Sequence, residues 1–209
     1  MTTVSEAQLR ASLAGSHEAG SRPMVDLEMP AVMRKALLPA LPLLKPAAVL
    51  VPLLRRPEGL TVLLTRRAET LRNHKGQISF PGGRRDPGDP SFAACALREA
   101  EEEVALPPEN AEVIGYLDDY PTISRYRITP VVALVQPPMQ FRVDPGEVAE
   151  VFELPLAVAL DPQRFERGLL SRDGFKLPFL EINYQERRIW GATAGMLWEL
   201  CRKVNSHRP

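Results

Sequence analysis

Short apolar runs bounded by turn residues recur along the chain from residue 47 to residue 190. Their length and spacing are typical of buried strands, which we predict over 47–51, 60–65, 77–80, 112–117, 129–135, 151–154, 164–171 and 177–190. Two other segments, 89–105 and 192–204, have the 3.6-residue periodicity of helices. The 21 prolines argue against a helix bundle, because an internal proline breaks a helix. The pattern predicts an α+β domain in which helices cover a mixed sheet.

The first 30 residues differ from the rest in being polar and rich in small side chains. We interpret residues 1–30 as an N-terminal extension and residues 31–209 as the folded domain. Within the extension, Leu9 and Leu13 lie one turn apart and predict a short helix over 6–13. A further helix is predicted over 31–38, a loop or irregular edge over 120–127, a helical turn over 156–160 and a turn at 173–174.

Composition and charge exclude several classes of function. Lys plus Arg and Asp plus Glu both total 26, so no net positive charge is present to attract nucleic acid. The longest apolar stretch, 37–54, is interrupted by prolines and a lysine and does not predict a membrane span. Two cysteines, Cys95 and Cys201, cannot form a disulfide framework, which favours a reducing compartment, and we expect a cytoplasmic location.

The helix over 89–105 has recognisable start signals and an apolar face. Asp89 is expected to be its N-cap and Pro90 its first helical residue. The apolar stripe that should pack against the sheet consists of Ala93, Leu97, Ala100 and Val104.

Three glutamates of this helix, Glu99, Glu102 and Glu103, are predicted to lie together on the side roughly opposite to that stripe. A solvated acidic face is one interpretation. However, like charges one turn apart destabilise a helix by about 0.2–0.5 kcal/mol per pair, and the C-terminal end of a helix disfavours anions. A divalent cation would reverse that balance, and Mg²⁺ prefers carboxylate oxygens together with substrate phosphates. The spacing alone leaves both interpretations open.

A glycine pair precedes this helix and ends a predicted strand. Gly82 and Gly83 would let the backbone approach a metal or a diphosphate closely, although such a pair is also typical of an ordinary turn. Basic residues surround the pair in sequence, and the segment 66–85 contains Arg66, Arg67, Arg72, His74, Lys75, Arg84 and Arg85. In a chain of zero net charge, this local concentration predicts a phosphate-binding site.

The glycine pair, Arg98-Glu99 and Glu102-Glu103 follow the order of the Nudix box, G-x5-E-x7-R-E-U-x-E-E-x-G-U, where U is apolar, and the segment resembles that family. The resemblance implies a Nudix fold, an α/β/α sandwich around a mixed sheet, and Mg²⁺- or Mn²⁺-assisted hydrolysis of a diphosphate linked to another moiety. It implies that Glu99, Glu102 and Glu103 are metal ligands and that Arg98 orients a carboxylate.

Two positions depart from the box. Its first glutamate has no match, because Asp89 is one residue out of register and Pro90 stands at the strict position. The late glycine is replaced by Ala105, which makes the end of the helix the second point of difference.

The segment upstream of the helix is similar to the signature of the coenzyme A diphosphatase branch, L-L-T-x-R…L-R-x-H-x-G-Q-[IV]-S-F-P-G-G. This chain has LLTRR at 63–67 and LRNHKGQISFPGG at 71–83. The resemblance implies hydrolysis of coenzyme A, or of its thioesters, to 3′,5′-ADP and 4′-phosphopantetheine or its acyl form. The residues expected to bind this small-molecule substrate are Arg66, Arg72, His74, Gln77, Ser79, Gly82, Gly83 and Arg84.

The sequence leaves several choices open. Alternative substrates are ADP-ribose, NADH or a nucleoside triphosphate, and a Nudix module could bind a nucleotide without cleaving it, although that class usually lacks the glutamates retained here. The proton of the attacking water is expected to go to a helix carboxylate, or to Glu147 or Glu150 beside the turn at 144–146. The choice between Mg²⁺ and Mn²⁺ and the oligomeric state do not follow from the sequence.

Overall fold

A computed structural model of the protein describes residues 4–18, 43–71, 73–136, 140–172 and 175–207. The predicted helix over 31–38, the predicted turn at 173–174 and the candidate substrate residue Arg72 lie outside the described residues.

The described residues form strands throughout the region where apolar runs predicted them. The strands are β1 (Lys45–Arg56), β2 (Gly59–Arg67), β3 (Ile78–Ser79), β4 (Gly82–Arg84), β5 (Ala111–Tyr116), β6 (Tyr120–Pro121), β7 (Tyr126–Val135), β8 (Val148–Pro155), β9 (Glu166–Arg172), β10 (Phe175–Tyr184) and β11 (Arg187–Trp190). The helices are α1 (Glu6–Leu13), α2 (Phe92–Val104), α3 (Leu156–Ala159) and α4 (Ala192–Ser206).

Strand β1 organises the main sheet. It pairs antiparallel with β2 through a tight hairpin in which Arg56 faces Gly59, and parallel with β7 along its length. The sheet continues from β7 to β5 and from β2 to β8, both antiparallel, and is therefore mixed. The short strands β3 and β4 pair with β2 and β1 respectively, where those two long strands diverge. This insertion brings the glycine pair of β4 into the sheet.

A second sheet contains β9, β10 and β11, all antiparallel. The prediction of one strand over 177–190 was wrong, because the chain reverses after Tyr184, which pairs with Arg187. The reversal contains Gln185 at a φ of 53° and Glu186, and neither residue is a typical turn former. The sequence therefore gave no signal for this hairpin.

The hydrophobic core has two parts, one on each face of the main sheet. Along β1, Val51 and Leu53 point into the part covered by α1, α3 and α4, whereas Leu50 and Leu54 point into the part covered by α2. This alternation is the period-two pattern of a strand buried on both faces. Helices on both faces of a mixed sheet form the α/β/α sandwich of the Nudix fold, as predicted.

The described part of the N-terminal extension, residues 4–18, packs against the domain. Helix α1 matches the predicted bounds and begins with a capping box between Ser5 and Gln8. Leu9 is fully buried in the core, and ion pairs join Glu6 to Arg55 and Arg10 to Glu112.

The closing helix α4 extends two residues beyond its predicted end. Ala194, Leu197 and Cys201 of the predicted apolar face are buried, and Trp198 is partly buried. Among the described residues, no helix is long and apolar enough to cross a membrane.

Candidate active site

Helix α2 begins later than the sequence indicated. Its N-cap is Ser91, whose hydroxyl accepts a hydrogen bond from the Ala94 N–H at 2.9 Å. The predictions of Asp89 as N-cap and of Pro90 as first helical residue were therefore wrong. The first turn also meets the carboxylate of Glu18, which accepts a hydrogen bond from the Phe92 N–H at 2.5 Å. A carboxylate at this end of a helix is favoured by the helix dipole.

Arg98 joins three carboxylates at one side of α2. Its Nε and Nη2 atoms each lie 3.0 Å from an oxygen of Asp89, which is buried. Its Nη1 atom donates to Glu99 at 3.0 Å and to Glu102 at 3.2 Å. The hydrogen bonds from Arg98 are the main reason that the pKa of Asp89 falls to about 2. This ionised pair holds the arginine in place, so that Arg98 can orient Glu99.

Glu103 is a buried acid without a full set of partners. Its side chain is 3% exposed, and its Oε2 atom has no hydrogen-bond partner among the described residues. The cation that pairs with it is Arg67, whose Nη1 atom lies 3.9 Å from the Glu103 carboxylate. Burial is the main cause that raises the pKa of Glu103 to about 8, and repulsion from Glu147 and Glu99 adds to it. An added cation would favour its ionised form.

The glycine pair places Glu99 close to the backbone of β4. A Cβ atom at Gly83 would lie 2.5 Å from the Glu99 carboxylate, so a larger residue would displace that side chain. Gly82 has a φ of 156°, and a Cβ there would collide with the backbone of Ala48 and Val49 in β1. Gly83 is therefore needed for the approach of α2 to β4, and Gly82 for the approach of β4 to β1.

The three helix glutamates do not share one solvent-facing side. Glu103 belongs to the buried face together with Ala96, Ala100 and Val104, so its predicted position opposite the apolar stripe was wrong. The helix packs against β4 and β1, and Gly83 leaves room there for the Glu99 carboxylate. The stripe itself is only partly confirmed, because Ala93 and Leu97 remain partly exposed. Glu102 has a side chain that is 60% exposed.

The structure separates the two loop glutamates that the sequence left as alternatives. The charge of Glu147 raises the pKa of both Glu99 and Glu103, which places Glu147 close to the helix carboxylates. Glu150 instead forms ion pairs with Arg66 and Arg187. The Asp144 N–H donates a hydrogen bond to the Glu103 carbonyl oxygen at 3.0 Å, which connects the loop before Glu147 to the end of α2.

The helix ends at Ala105 in the left-handed conformation, with a φ of 53° and a ψ of 42°. Glycine is the residue that usually adopts this conformation at the end of a helix. The late glycine of the box is therefore replaced by an alanine that keeps the same backbone geometry. Cys95 on the same helix is fully buried, and burial raises the pKa of its thiol to about 12, so it is not a ready nucleophile.

The acidic cluster offers the donor chemistry of a hard divalent cation. Glu99, Glu103 and Glu147 supply carboxylate oxygens, one of which is buried and unpartnered. Within the described ranges, no three histidine, cysteine or acidic side chains are already close enough together to hold an ion. The chemistry of these donors, and not a preformed cluster, therefore suits an oxygen-bound metal, with Glu102 at the exposed side.

Six of the seven predicted substrate residues that the structure describes fall into two groups. Gly82 and Gly83 lie beside the acidic helix, and Arg84 follows them with an exposed side chain. Arg66 and Gln77 line a cavity elsewhere, and the Nδ1 atom of His74 lies 2.8 Å from Oε1 of Gln77.

Ser79 belongs to neither group. Its hydroxyl oxygen lies 3.1 Å from that of Thr65 on the neighbouring strand. Gln77, which lies just before β3, lines the cavity. Gln77 and Ser79 therefore contact different residues.

Sequence reasoning missed two kinds of residue near these sites. Arg67 was noted as part of the basic segment but not as the cation that pairs with Glu103. Successive side chains of a strand point to opposite faces, so the pattern could have indicated that Arg67 and Arg66 of β2 point in opposite directions. Arg187, Arg188 and Trp190 were predicted only as part of the strand over 177–190 and not as substrate-binding residues, although they line the same cavity as Arg66. These three residues are far from Arg66 along the chain, so no local sequence pattern links them to it.

Comparisons with known proteins agree with this geometry. Residues 44–172, more than half of the chain, match the NUDIX domain. Proteins named Uncharacterized Nudix hydrolase NudL are 47% identical to this chain in Cronobacter sakazakii and 45% identical in a strain of Escherichia coli. Each alignment covers 158 residues, which are 76% of this chain and 82% of the relative. The fold is similar to that of RenU, a Nudix hydrolase from M. smegmatis, with a TM-score of 0.55 and 21% identity over 79% of this chain and 88% of that one.

The domain match, the relatives and the arrangement of α2 behind its glycine pair lead to one conclusion. The chain belongs to the Nudix hydrolase family, whose members generally use divalent metal ions, and it is a hydrolase of nucleoside diphosphate derivatives.

Proposed function

We propose that the protein hydrolyses the diphosphate of coenzyme A, or of its thioesters, to 3′,5′-ADP and 4′-phosphopantetheine or its acyl form. The choice of coenzyme A is supported by the similarity of residues 63–67 and 71–83 to the coenzyme A diphosphatase signature. A cytoplasmic location is part of the proposal and fits the two cysteines, which are buried and not joined by a disulfide.

The observation that carries the hydrolytic part of the proposal is the environment of Glu103. A carboxylate buried with one unpartnered oxygen destabilises a fold unless something binds it. Glu99 and Glu147 lie close enough to raise its pKa by repulsion. Three acids in this arrangement are better explained by a cation, Mg²⁺ or Mn²⁺, than by packing.

We assign roles to the acidic residues on this basis. Glu99 and Glu103, with Glu102 at the exposed side, would hold the metal, which supplies neutralisation of the diphosphate and a lowered pKa for water. Arg98, fixed by Asp89, keeps the Glu99 carboxylate turned towards Gly83.

Glu147 is the better candidate than Glu150 for accepting the proton of the attacking water. Its side chain is exposed, and ion pairs with Arg66 and Arg187 hold Glu150 elsewhere. No covalent intermediate is needed, because water attacks phosphorus directly and the proton passes to the carboxylate.

Product analysis tests the proposal. The protein is incubated with coenzyme A, ADP-ribose, NADH and a nucleoside triphosphate, each with Mg²⁺ or Mn²⁺, at one enzyme concentration. The expected products from coenzyme A are 3′,5′-ADP and 4′-phosphopantetheine, formed faster than any product from the other compounds. Faster cleavage of ADP-ribose or NADH would contradict the substrate, and tight binding of coenzyme A without product would indicate a non-catalytic module.

Two matched variants test the role of the buried acid. Glu103→Gln should lower the rate on the order of a hundredfold or more, whereas Glu101→Gln, an exposed position on the same helix, should leave it unchanged. Turnover close to that of the wild type in Glu103→Gln, with saturating Mg²⁺, would refute the assignment.

A further inference from the structure

A cavity of about 780 Å³ opens between the end of β2, the start of β3, the start of β8 and the turn that joins β10 to β11. This volume lies in the range of sites that hold small molecules. Its lining includes Arg66 and Gln77, but also residues of the β10–β11 hairpin that lie outside the box. The cavity is thus a recess separate from the acidic face of α2.

Among the described residues that line the cavity, three of the four cations form ion pairs, whereas Lys75 and the carboxylates of Glu69 and Glu186 form none. The cations are Arg66, Lys75, Arg187 and Arg188, and the acids are Glu69, Glu150 and Glu186. Glu150 neutralises both Arg66 and Arg187, and Arg188 pairs with Glu181 outside the lining. Lys75 is exposed and forms no ion pair in the part of the chain that the structure describes. Its ammonium group is therefore available to an anion.

The cavity also contains an aromatic surface. Trp190 is partly buried, and its ring centroid lies 5.6 Å from that of Phe179 in an edge contact that fixes its orientation. The guanidinium carbon of Arg188 lies 5.5 Å from the Trp190 ring. An indole ring held in one orientation beside cationic side chains is suited to stack on the planar base of a phosphorylated nucleotide.

The end of β2 connects this cavity to the acidic cluster. Arg66 lines the cavity, and the next residue, Arg67, lies 3.9 Å from Glu103. Strand β8 repeats the arrangement, because Glu150 lines the cavity and Glu147, just before the strand, lies beside the helix carboxylates. A ligand that passes over this strand end can therefore reach both places.

We propose that the cavity holds the phosphorylated adenosine end of the substrate, with Lys75 binding the ribose 3′-phosphate and Trp190 stacking on the adenine. This inference rests on the proposed function and adds to it the residues that select the nucleotide. Lys75 stands at a variable position of the upstream signature, so the resemblance assigns it no role. A free phosphate monoester next to a lone ammonium group provides selectivity for coenzyme A over its dephosphorylated form.

Steady-state kinetics with coenzyme A and with 3′-dephospho-coenzyme A test the inference. Lys75→Met should lower kcat/KM for coenzyme A on the order of tenfold, the effect of one charge-assisted hydrogen bond, and leave dephospho-coenzyme A unchanged. Lys176→Met, an exposed lysine of β10 outside the cavity, is the matched control and should change neither value. Circular dichroism and thermal melting verify that the variants are folded.

A binding measurement gives a readout that does not depend on turnover. In a Trp198→Phe background, which leaves Trp190 as the remaining tryptophan, 3′,5′-ADP should change the fluorescence and bind more tightly than 5′-AMP. Lys75→Met should remove that difference in affinity.

The outcomes separate this inference from the proposed function. If the wild type cleaves coenzyme A but does not distinguish it from dephospho-coenzyme A, or if Lys75→Met affects both equally or neither, the cavity assignment is wrong and the activity stands. If the wild type cleaves no coenzyme A, the proposed function fails and the assignment fails with it.

Discussion

Replacing Glu103 by glutamine should stabilise the protein at alkaline pH while it removes activity. Burial raises the pKa of this acid to about 8 from its ordinary value of 4.5. Because each pKa unit corresponds to about 1.4 kcal/mol, the ionised side chain destabilises the native state by at most about 5 kcal/mol. The native state retains the proton at pH values where the unfolded chain has lost it. The free energy of unfolding therefore falls as pH rises from about 4.5 to about 8, and levels off above that.

Urea unfolding at pH 5 and at pH 8.5, in the presence of a chelator, measures this effect. The wild type should lose several kcal/mol of stability between the two conditions through Glu103 alone, whereas Glu103→Gln should lose much less. Glu101→Gln controls for the removal of one negative charge from the same helix and should behave as the wild type does. Addition of Mn²⁺ at pH 8.5 should then stabilise the wild type and have little effect on Glu103→Gln.

Equal pH dependence in the wild type and in Glu103→Gln would refute the reasoning. It would mean that the carboxylate ionises in the native state without cost, so that no cation would be needed to explain it. A variant that is less stable than the wild type at pH 8.5 would have the same consequence.

Three further substitutions test other parts of the site. Asp89→Asn should lower stability at neutral pH by about 1–2 kcal/mol; because the pKa of Asp89 is lowered to about 2, the wild-type advantage should vanish in urea melts as pH falls from about 4 to about 2. Gly83→Ala should displace the Glu99 carboxylate and lower kcat on the order of a hundredfold, whereas Gly88→Ala, where a Cβ meets nothing within 4 Å, should not. Glu18→Gln should lower the thermal midpoint in calorimetry through loss of about 1 kcal/mol at the start of α2.

The elements of the fold could be predicted because their signals are local. Short continuous apolar runs mark β1 and β7, and the periodicity of α4 fixes its buried face. The β10–β11 hairpin was missed because Gln185 adopts a positive φ without being a glycine or an asparagine. Tertiary contacts hold that turn, and a sequence pattern does not record them.

The candidate site was predicted in its residues but not in its arrangement. Spacing placed Glu99, Glu102 and Glu103 on one helix, yet it could not show which of them is buried. That depends on how closely α2 approaches β4, where Gly83 leaves room for the Glu99 carboxylate, and on how closely β4 approaches β1 at Gly82. The cavity was beyond reach for a related reason, because hydrophobic and charge patterns do not reveal residues that meet from distant parts of the chain.

Asp89, the acid nearest to the position of the first glutamate of the box, shows why residue spacing alone does not identify every residue of the site. Asp89 stands one residue out of register, yet it pairs with Arg98 through two 3.0 Å hydrogen bonds. Within a helix, a shift of one residue would rotate the side chain by about 100° and separate the pair. Asp89 lies before the N-cap Ser91, in a turn closed by a hydrogen bond from the Asp89 N–H to the Asp86 carbonyl oxygen, where that rotation does not apply. The acid can therefore move along the sequence as long as it stays outside the helix, whereas Glu99 and Glu103, inside it, cannot.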